Sequence, residues 1–304
     1  MNDFGFRKAI PVWKKGKEKE LHSRCAFFTT FGKVENAILK IACSNAYKAY
    51  LNGRFLAAGP ARAAHGYFRV DELPLDNLCE ENALFIEVAA YNTRSYCHLD
   101  QPGFLQAEIV ADGEVVARTG EHFIVRDYDE RLQKVCKFSY QRTFTEVYEF
   151  TRNPVLTYSD FSSDGAPITA ELPVEAKGGV CMERRVSYPR YDISRPSRTE
   201  TGTFRRGDKQ PEQNPDIQSD RLRLFKREEW ASNSGSELQR LEYDKKPIGG
   251  GIAAGEYALY DLGNTRTGFI RLKFRATEDS LVIAYFSEID LNTDKNKAAD
   301  IRCN

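Results

Sequence analysis

The sequence predicts an all-β protein, an antiparallel β-sandwich followed by a partial second β-sandwich. Three observations carry this expectation. Short apolar or alternating runs recur along the chain with turn residues between them. Two of those turns are Asn52-Gly53 and Asp112-Gly113, the strongest short-range hairpin signals. Helical periodicity is almost absent, which leaves sheet packed on sheet as the way to bury the apolar faces.

The elements follow in order. Ile38 to Cys43 (ILKIAC) and Ala46 to Leu51 (AYKAYL) read as strands, and Asn52-Gly53 turns the chain into a returning strand, Arg54 to Ala58. Gly59 to Asp76, GPARAAHGYFRVDELPLD, begins with Gly, Pro, Ala, Arg and His, poor core material. It ends in a strand-like run with Tyr67, Phe68, Val70, Leu73 and Leu75. Its first half fits either a binding loop on a β scaffold or an ordinary crossover. Ala83 to Ala90 (ALFIEVAA) is apolar enough for a central strand. Leu105 to Ala111 and Glu114 to Arg118 flank Asp112-Gly113 as a second hairpin, and His122 to Tyr128 and Thr143 to Phe150 continue the pattern.

Beyond this the composition changes. The expected organisation is a sandwich over 1–175, a linker or solvated excursion over 176–247, and opening strands of a second sandwich over 248–304. Ser194 to Lys246 is rich in Ser, Arg, Asp, Gln and Pro, with too little apolar surface to bury. Within it, Asp220 to Trp230 (DRLRLFKREEW) fits a short amphipathic helix. Strands return at Glu256 to Leu262, Gly268 to Ala276 and Ser280 to Phe286. A sandwich usually takes about 100 residues, so this second one is incomplete.

Composition narrows function by exclusion. The chain has 304 residues, 41% hydrophobic and 29% charged, and its 44 Lys+Arg equal its 44 Asp+Glu. No basic field invites nucleic acid. The first twenty residues lack the apolar core of a signal peptide, and no run approaches the ~18 apolar residues of a membrane span. Seven cysteines, widely spaced and without a CxxC, argue for free thiols rather than disulfides or structural zinc, so a cytoplasmic location is expected.

Several motif matches dissolve on their context. Gly249-x-Gly251-x-x-Ala254 lacks the preceding strand and following helix of a dinucleotide fingerprint. Asp290-x-Asn292-x-Asp294 begins like a calcium loop, but Lys295 and Ile301 stand where Gly and Glu are required. Arg206-Gly207-Asp208 is a chance tripeptide in a charged stretch. The four histidines, His22, His65, His98 and His122, have no metal-ligand spacing, and no G-x-S-x-G occurs. No catalytic residue, cofactor or metal is expected in this chain.

One stretch does carry binding chemistry. Ala90 to Gln106, AYNTRSYCHLDQPGFLQ, gathers Tyr91, Asn92, Tyr96, His98, Asp100 and Gln101 after the apolar strand. Aromatic faces with amides and carboxylates suit a sugar, which offers a C–H face and hydroxyls. The same residues equally suit an ordered inter-sheet loop whose tyrosines fill the core edge.

The blocks YLNGRFLAAGPARAAHGYFRVDELPLD, ENALFIEVAAYN, SYCHLDQPGFLQAEI and QRTFTEVYEF together resemble the N-terminal sandwich of bacterial α-L-rhamnosidase-type proteins, glycoside hydrolase family 78. The similarity continues through RRVSYPRYD (Arg184 to Asp192) and resumes at YDLGNTRTGFIRLKF (Tyr260 to Phe274). It implies a jelly-roll or galactose-binding-like sandwich, a second sandwich, and then an (α/α)₆ barrel that holds the inverting carboxylates. That barrel would lie outside these residues, as the principal partner of a non-catalytic, truncated accessory region. Two further readings stay open, an independent rhamnose-type carbohydrate-binding module and a structural or homo-oligomerising sandwich. Some members bind rhamnose through calcium. Where the metal-binding acid would stand, this chain has Ala90 and Tyr91, so no calcium is expected.

Overall fold

The computed structural model describes residues 5–94, 98–128, 131–133, 135, 144, 146–148, 171–206, 241–246, 251–264, 266–280, 282 and 284. The chain divides into two compact units, Met1–Ser187 and Tyr188–Asn304. Among the described residues, the helices and strands assigned are all strands.

The first unit contains β1 (Val12–Trp13), β2 (Ser23–Gly32), β3 (Ile38–Cys43), β4 (Ala46–Leu51), β5 (Arg54–Gly59) and β6 (Tyr67–Pro74). It continues with β7 (Glu81–Ala90), β8 (Leu105–Ala111), β9 (Glu114–Arg118), β10 (Ile124–Asp127), β11 (Val174–Glu175) and β12 (Val180–Glu183). One sheet runs β11-β1-β8-β3-β6-β12, with β9 also on β8, and the other runs β10-β2-β7-β4-β5. Their inner faces meet in one core. Trp13, Phe27, Leu39, Ile41, Leu84, Ile86, Leu105 and Ile109 are all fully buried there. Period-two alternation does this work: in β2, Cys25, Phe27 and Phe31 enter the core.

β7 differs from its neighbours because it is buried on both faces, which explains its nearly unbroken apolar run. Leu84, Ile86, Val88 and Ala90 face the core, while Phe85 packs outside the sheet with Ala26 and Tyr128. Both Asx-Gly turns are as expected. Asn52 and Gly53 have φ of 50° and 75°, and Asp112 and Gly113 have φ of 48° and 86°.

β3 and β4 are neighbours in sequence but lie in different sheets. Ser44 and Asn45 make the step, pinned by Ser44 N–H to the Phe104 carbonyl and by Tyr91 N–H to Asn45 Oδ1. The Gly59–Asp76 stretch is likewise a crossover, from edge strand β5 to β6 in the opposite sheet. A Cβ at Gly59 would sit 2.2 Å from Asp71 Oδ2 and 2.9 Å from the Tyr47 ring, so glycine is required where the backbone crosses Asp71. Asp71 is fully buried, accepting the Tyr47 hydroxyl at 2.5 Å and pairing with Arg184 at 2.5 Å.

The second unit holds β13 (Ser197–Arg206), β14 (Leu241–Lys246) and β15 (Glu256–Asp261) as an antiparallel sheet of order β14-β13-β15. Here the structure departs from the sequence reading. β13 and β14 fall inside the stretch read as a linker. Their residues are polar, but β13 is paired on both sides, and Tyr257 donates to Glu200 at 2.6 Å. Ladder hydrogen bonds, which composition does not report, hold this strand. Gly268 to Ala276, expected as a strand, forms no ladder, and Phe269, Ile270, Leu272 and Phe274 are all more than half exposed. An alternating run becomes a strand only beside a partner edge. β2, by contrast, was not anticipated at all, although SRCAFFTTFG carries the alternation. The expected helix at 220–230 and half of Thr143 to Phe150 lie outside the described residues.

Candidate functional site

The richest chemistry in the first unit lies on the outer face of the β10-β2-β7-β4-β5 sheet, where β2 begins and β10 ends. Strand alternation puts Arg24 of β2, Lys48 of β4 and Glu87 of β7 on this face, and Lys48 stands opposite Glu87 in register. Glu87 is the informative residue. A carboxylate inside ALFIEVAA is 5% exposed, so it needs charged partners. Arg24 lies 3.1 Å from it and Arg131 3.4 Å. Arg131 also grips Glu146 with two hydrogen bonds of 3.0 Å, and its guanidinium lies over the Tyr148 ring at 4.6 Å.

His22, with φ of 52°, enters this cluster just before β2. Its Nδ1 lies 2.9 Å from the Gln133 carbonyl and therefore carries the proton, leaving Nε2 to accept from Arg24 Nε at 3.2 Å. Burial, reinforced by the Arg24 charge, lowers its pKa to about 3, so the ring is neutral at any physiological pH. Its face stacks on Phe144 at 4.2 Å and, more distantly, on Tyr91 at 6.1 Å.

The charges here are fixed rather than exchangeable. Burial would raise the Glu146 carboxyl, but Arg131, Arg24 and Lys48 outweigh it and hold the group below the usual carboxylate range. Burial likewise opposes the Arg131 charge, and Glu87 and Glu146 more than restore it. Burial depresses the Lys48 ammonium and raises the Tyr148 phenol. Glu146 stays ionised and doubly hydrogen-bonded, so it has no proton to give a glycosidic oxygen. Elsewhere, buried Glu108 accepts the backbone N–H groups of Arg7, Lys8 and Ala9 at 2.8, 3.0 and 3.1 Å. This arrangement holds structure and can bind.

The loop residues singled out in the sequence divide by role. Tyr91 is buried, its ring against His98 at 4.3 Å and the Arg24 guanidinium at 5.9 Å. Asn92 is buried and donates both amide hydrogens, to the carbonyls of Glu18 at 3.0 Å and Glu20 at 2.7 Å. Gln101 donates to the Ser44 carbonyl, His98 is half-buried, and Asp100 is exposed. Tyr96 lies outside the described residues. Tyr91 thus packs against the ionic cluster through Arg24 and His22, whereas Asn92 ties down the backbone at Glu18 and Glu20. Sequence reading missed Arg24, Arg131, His22 and Glu146. Only Glu87, a charge in an apolar strand, signalled that a network was needed.

Beside Arg24 and Arg131 opens a small cleft of about 40 Å³, whose lining also takes in Lys17, Ser23, Asp127, Tyr128 and Gln133. Among the described residues, no group of three or more His, Cys, Asp or Glu could hold a metal ion.

No family model matches this chain, and no curated protein does. Solved structures do. The chain is similar to the GH78-family rhamnosidase of Bacillus sp. GL1, with a TM-score of 0.58 and 18% identity, over 66% of this chain and 22% of that one. The α-L-rhamnosidases of Dictyoglumus thermophilum and Aspergillus terreus align with TM-scores of 0.44 and identities of 14% and 15%. Those alignments cover 67% of this chain and 27% and 28% of theirs. The Bacillus alignment shows a shared β-sandwich fold over two thirds of this chain. The chain spans about a fifth of that rhamnosidase's length.

Proposed function

We propose that this chain is the non-catalytic accessory region of an α-L-rhamnosidase-like glycoside hydrolase, scaffolding or lining the substrate side of a catalytic barrel outside these 304 residues. The observation that carries this reading is the fold match, which takes in 66% of this chain but 22% of the Bacillus rhamnosidase. The state of four carboxylates, three of them buried and Glu146 about half exposed, supports it. Glu87 and Glu146 are held by arginines, Asp71 by Tyr47 and Arg184, and Glu108 by three backbone N–H groups. A glycosidase needs one carboxyl poised as an acid and another facing water or the sugar. These four are committed to the fold.

The test is activity of the purified chain on aryl α-L-rhamnosides. No turnover above background is expected. Turnover that disappears in Glu87→Gln or Glu146→Gln would overturn the reading and make the ionic cluster an active site.

A further inference from the structure

The first unit ends at Ser187, and its last residues are tied back onto the sandwich. β12 stops at Glu183, and Arg185 then takes φ of 52°, a left-handed conformation uncommon for a bulky residue. Neither glycine nor asparagine stands there, so the local sequence does not favour the turn. Two guanidinium groups hold the backbone on either side of it. Arg69 of β6 donates through Nη1 to the carbonyls of Glu183, at 3.3 Å, and of Arg184. Arg184 donates through Nε to the Val186 carbonyl at 3.0 Å and through Nη2 to the Ser187 carbonyl at 3.3 Å. Its Nη1 reaches Asp71 Oδ1 at 2.5 Å.

The seat of Arg184 lies inside the sandwich. Asp71 is fully buried, the Arg184 side chain is 11% exposed, and the Tyr47 hydroxyl also donates to Asp71. A buried carboxylate that loses its cation is costly, so the core itself keeps Arg184 seated. Arginine suits this place. Its rigid planar fork serves one carboxylate and two carbonyls at once, whereas a lysine ammonium is a point charge on a flexible stem. Residues 185–197 are all exposed, so little burial is there to replace the guanidinium's grip. We propose that Arg184 is a positioning residue that locks the end of the first unit, so that the chain leaves Ser187 in one fixed direction. Seated on Asp71, it makes 184–187 part of the sandwich. Unseated, the same residues are a flexible tether to the second unit. This lock is independent of any sugar or catalytic chemistry.

The experiment measures backbone ¹⁵N relaxation of Val186 and Ser187 in the full chain, and follows β7 amide signals as a report on the folded sandwich. Arg184→Lys keeps a cation for Asp71 but gives up the fork. The double variant Asp71→Asn/Arg184→Met removes both charges together and leaves no buried ion unpaired. In the wild type both amides should have order parameters of about 0.85, the level of rigid backbone. In both variants they should fall below about 0.6 while the β7 signals stay native. If one variant fails to fold, the other decides. Order parameters unchanged in a folded variant would mean that the junction is held elsewhere, and the proposal fails. Values below about 0.6 in the wild type would sink it as well, since nothing is then locked. Loss of the folded sandwich in both variants would make Arg184 an ordinary core residue and overturn the lock.

Discussion

The two units use similar sequence material to opposite effect. In the first, β7 carries a nearly unbroken apolar run that is buried on one face by the opposite sheet and on the other by Tyr128 and the arginine–glutamate network. In the second, 268–276 carries Phe269, Ile270, Leu272 and Phe274, equally bulky apolar residues alternating with basic ones, yet those side chains are more than half exposed and the backbone makes no ladder. The difference teaches that a β pattern states a need without supplying the partner. β7 has a strand on each edge and a layer on each face. Residues 268–276 have no paired strand on either edge among the described residues.

The largest expected effect tests what holds β7's outer face. Arg131→Met removes the cation shared by buried Glu87 and half-exposed Glu146, leaving Glu87 with Arg24 alone, and should cost about 3 kcal/mol in urea unfolding. A cost below about 1 kcal/mol would show that the network decorates the sheet rather than closing it. Next comes the inner face. Ile86→Ala should cost about 2–5 kcal/mol, whereas Leu272→Ala should stay within about 0.5 kcal/mol. Equal losses would erase the contrast between the units.

Acid should separate them further. His22 has a folded pKa of about 3, below its ordinary value of 6.5, so the unfolded state takes up the proton first. Stability of the first unit is therefore full above pH 6.5 and falls as pH drops below it. Between pH 6.5 and 4.5, before most carboxylates titrate, the loss should reach about 2–3 kcal/mol. Below pH 4.5, Glu146 adds to the loss in the same direction, because its folded value is depressed. His22→Asn should flatten the upper part of this profile, and an unchanged profile would remove His22 as its cause. The smallest effect is at the hairpin. Gly53→Ala, at φ 75°, should cost about 1–2 kcal/mol by the same unfolding assay.

Much of the first unit was legible in the residues themselves. Both Asx-Gly hairpins and the strands at Ile38–Cys43, Ala46–Leu51, Leu105–Ala111 and Glu114–Arg118 occur as read. Turn chemistry and alternation are local, and local sterics decide them. The loop after β7 was legible only as composition. Tyr91 and Asn92 are residue types that suit a sugar, but one lies in an aromatic stack and the other ties down Glu18 and Glu20.

By itself, then, the sequence determined several strands of the first unit and where its two Asx-Gly hairpins turn. Tertiary structure alone decided that β3 and β4 part into different sheets and that Gly59 crosses over Asp71. It also brought Arg24 and Arg131 to Glu87 from 63 and 44 positions away. The same division explains the second unit, where polar β13 is a central strand and an apolar stretch is not. Side-chain pattern is a property of one segment, whereas pairing and charge compensation belong to two or more segments. Only the fold brings those together.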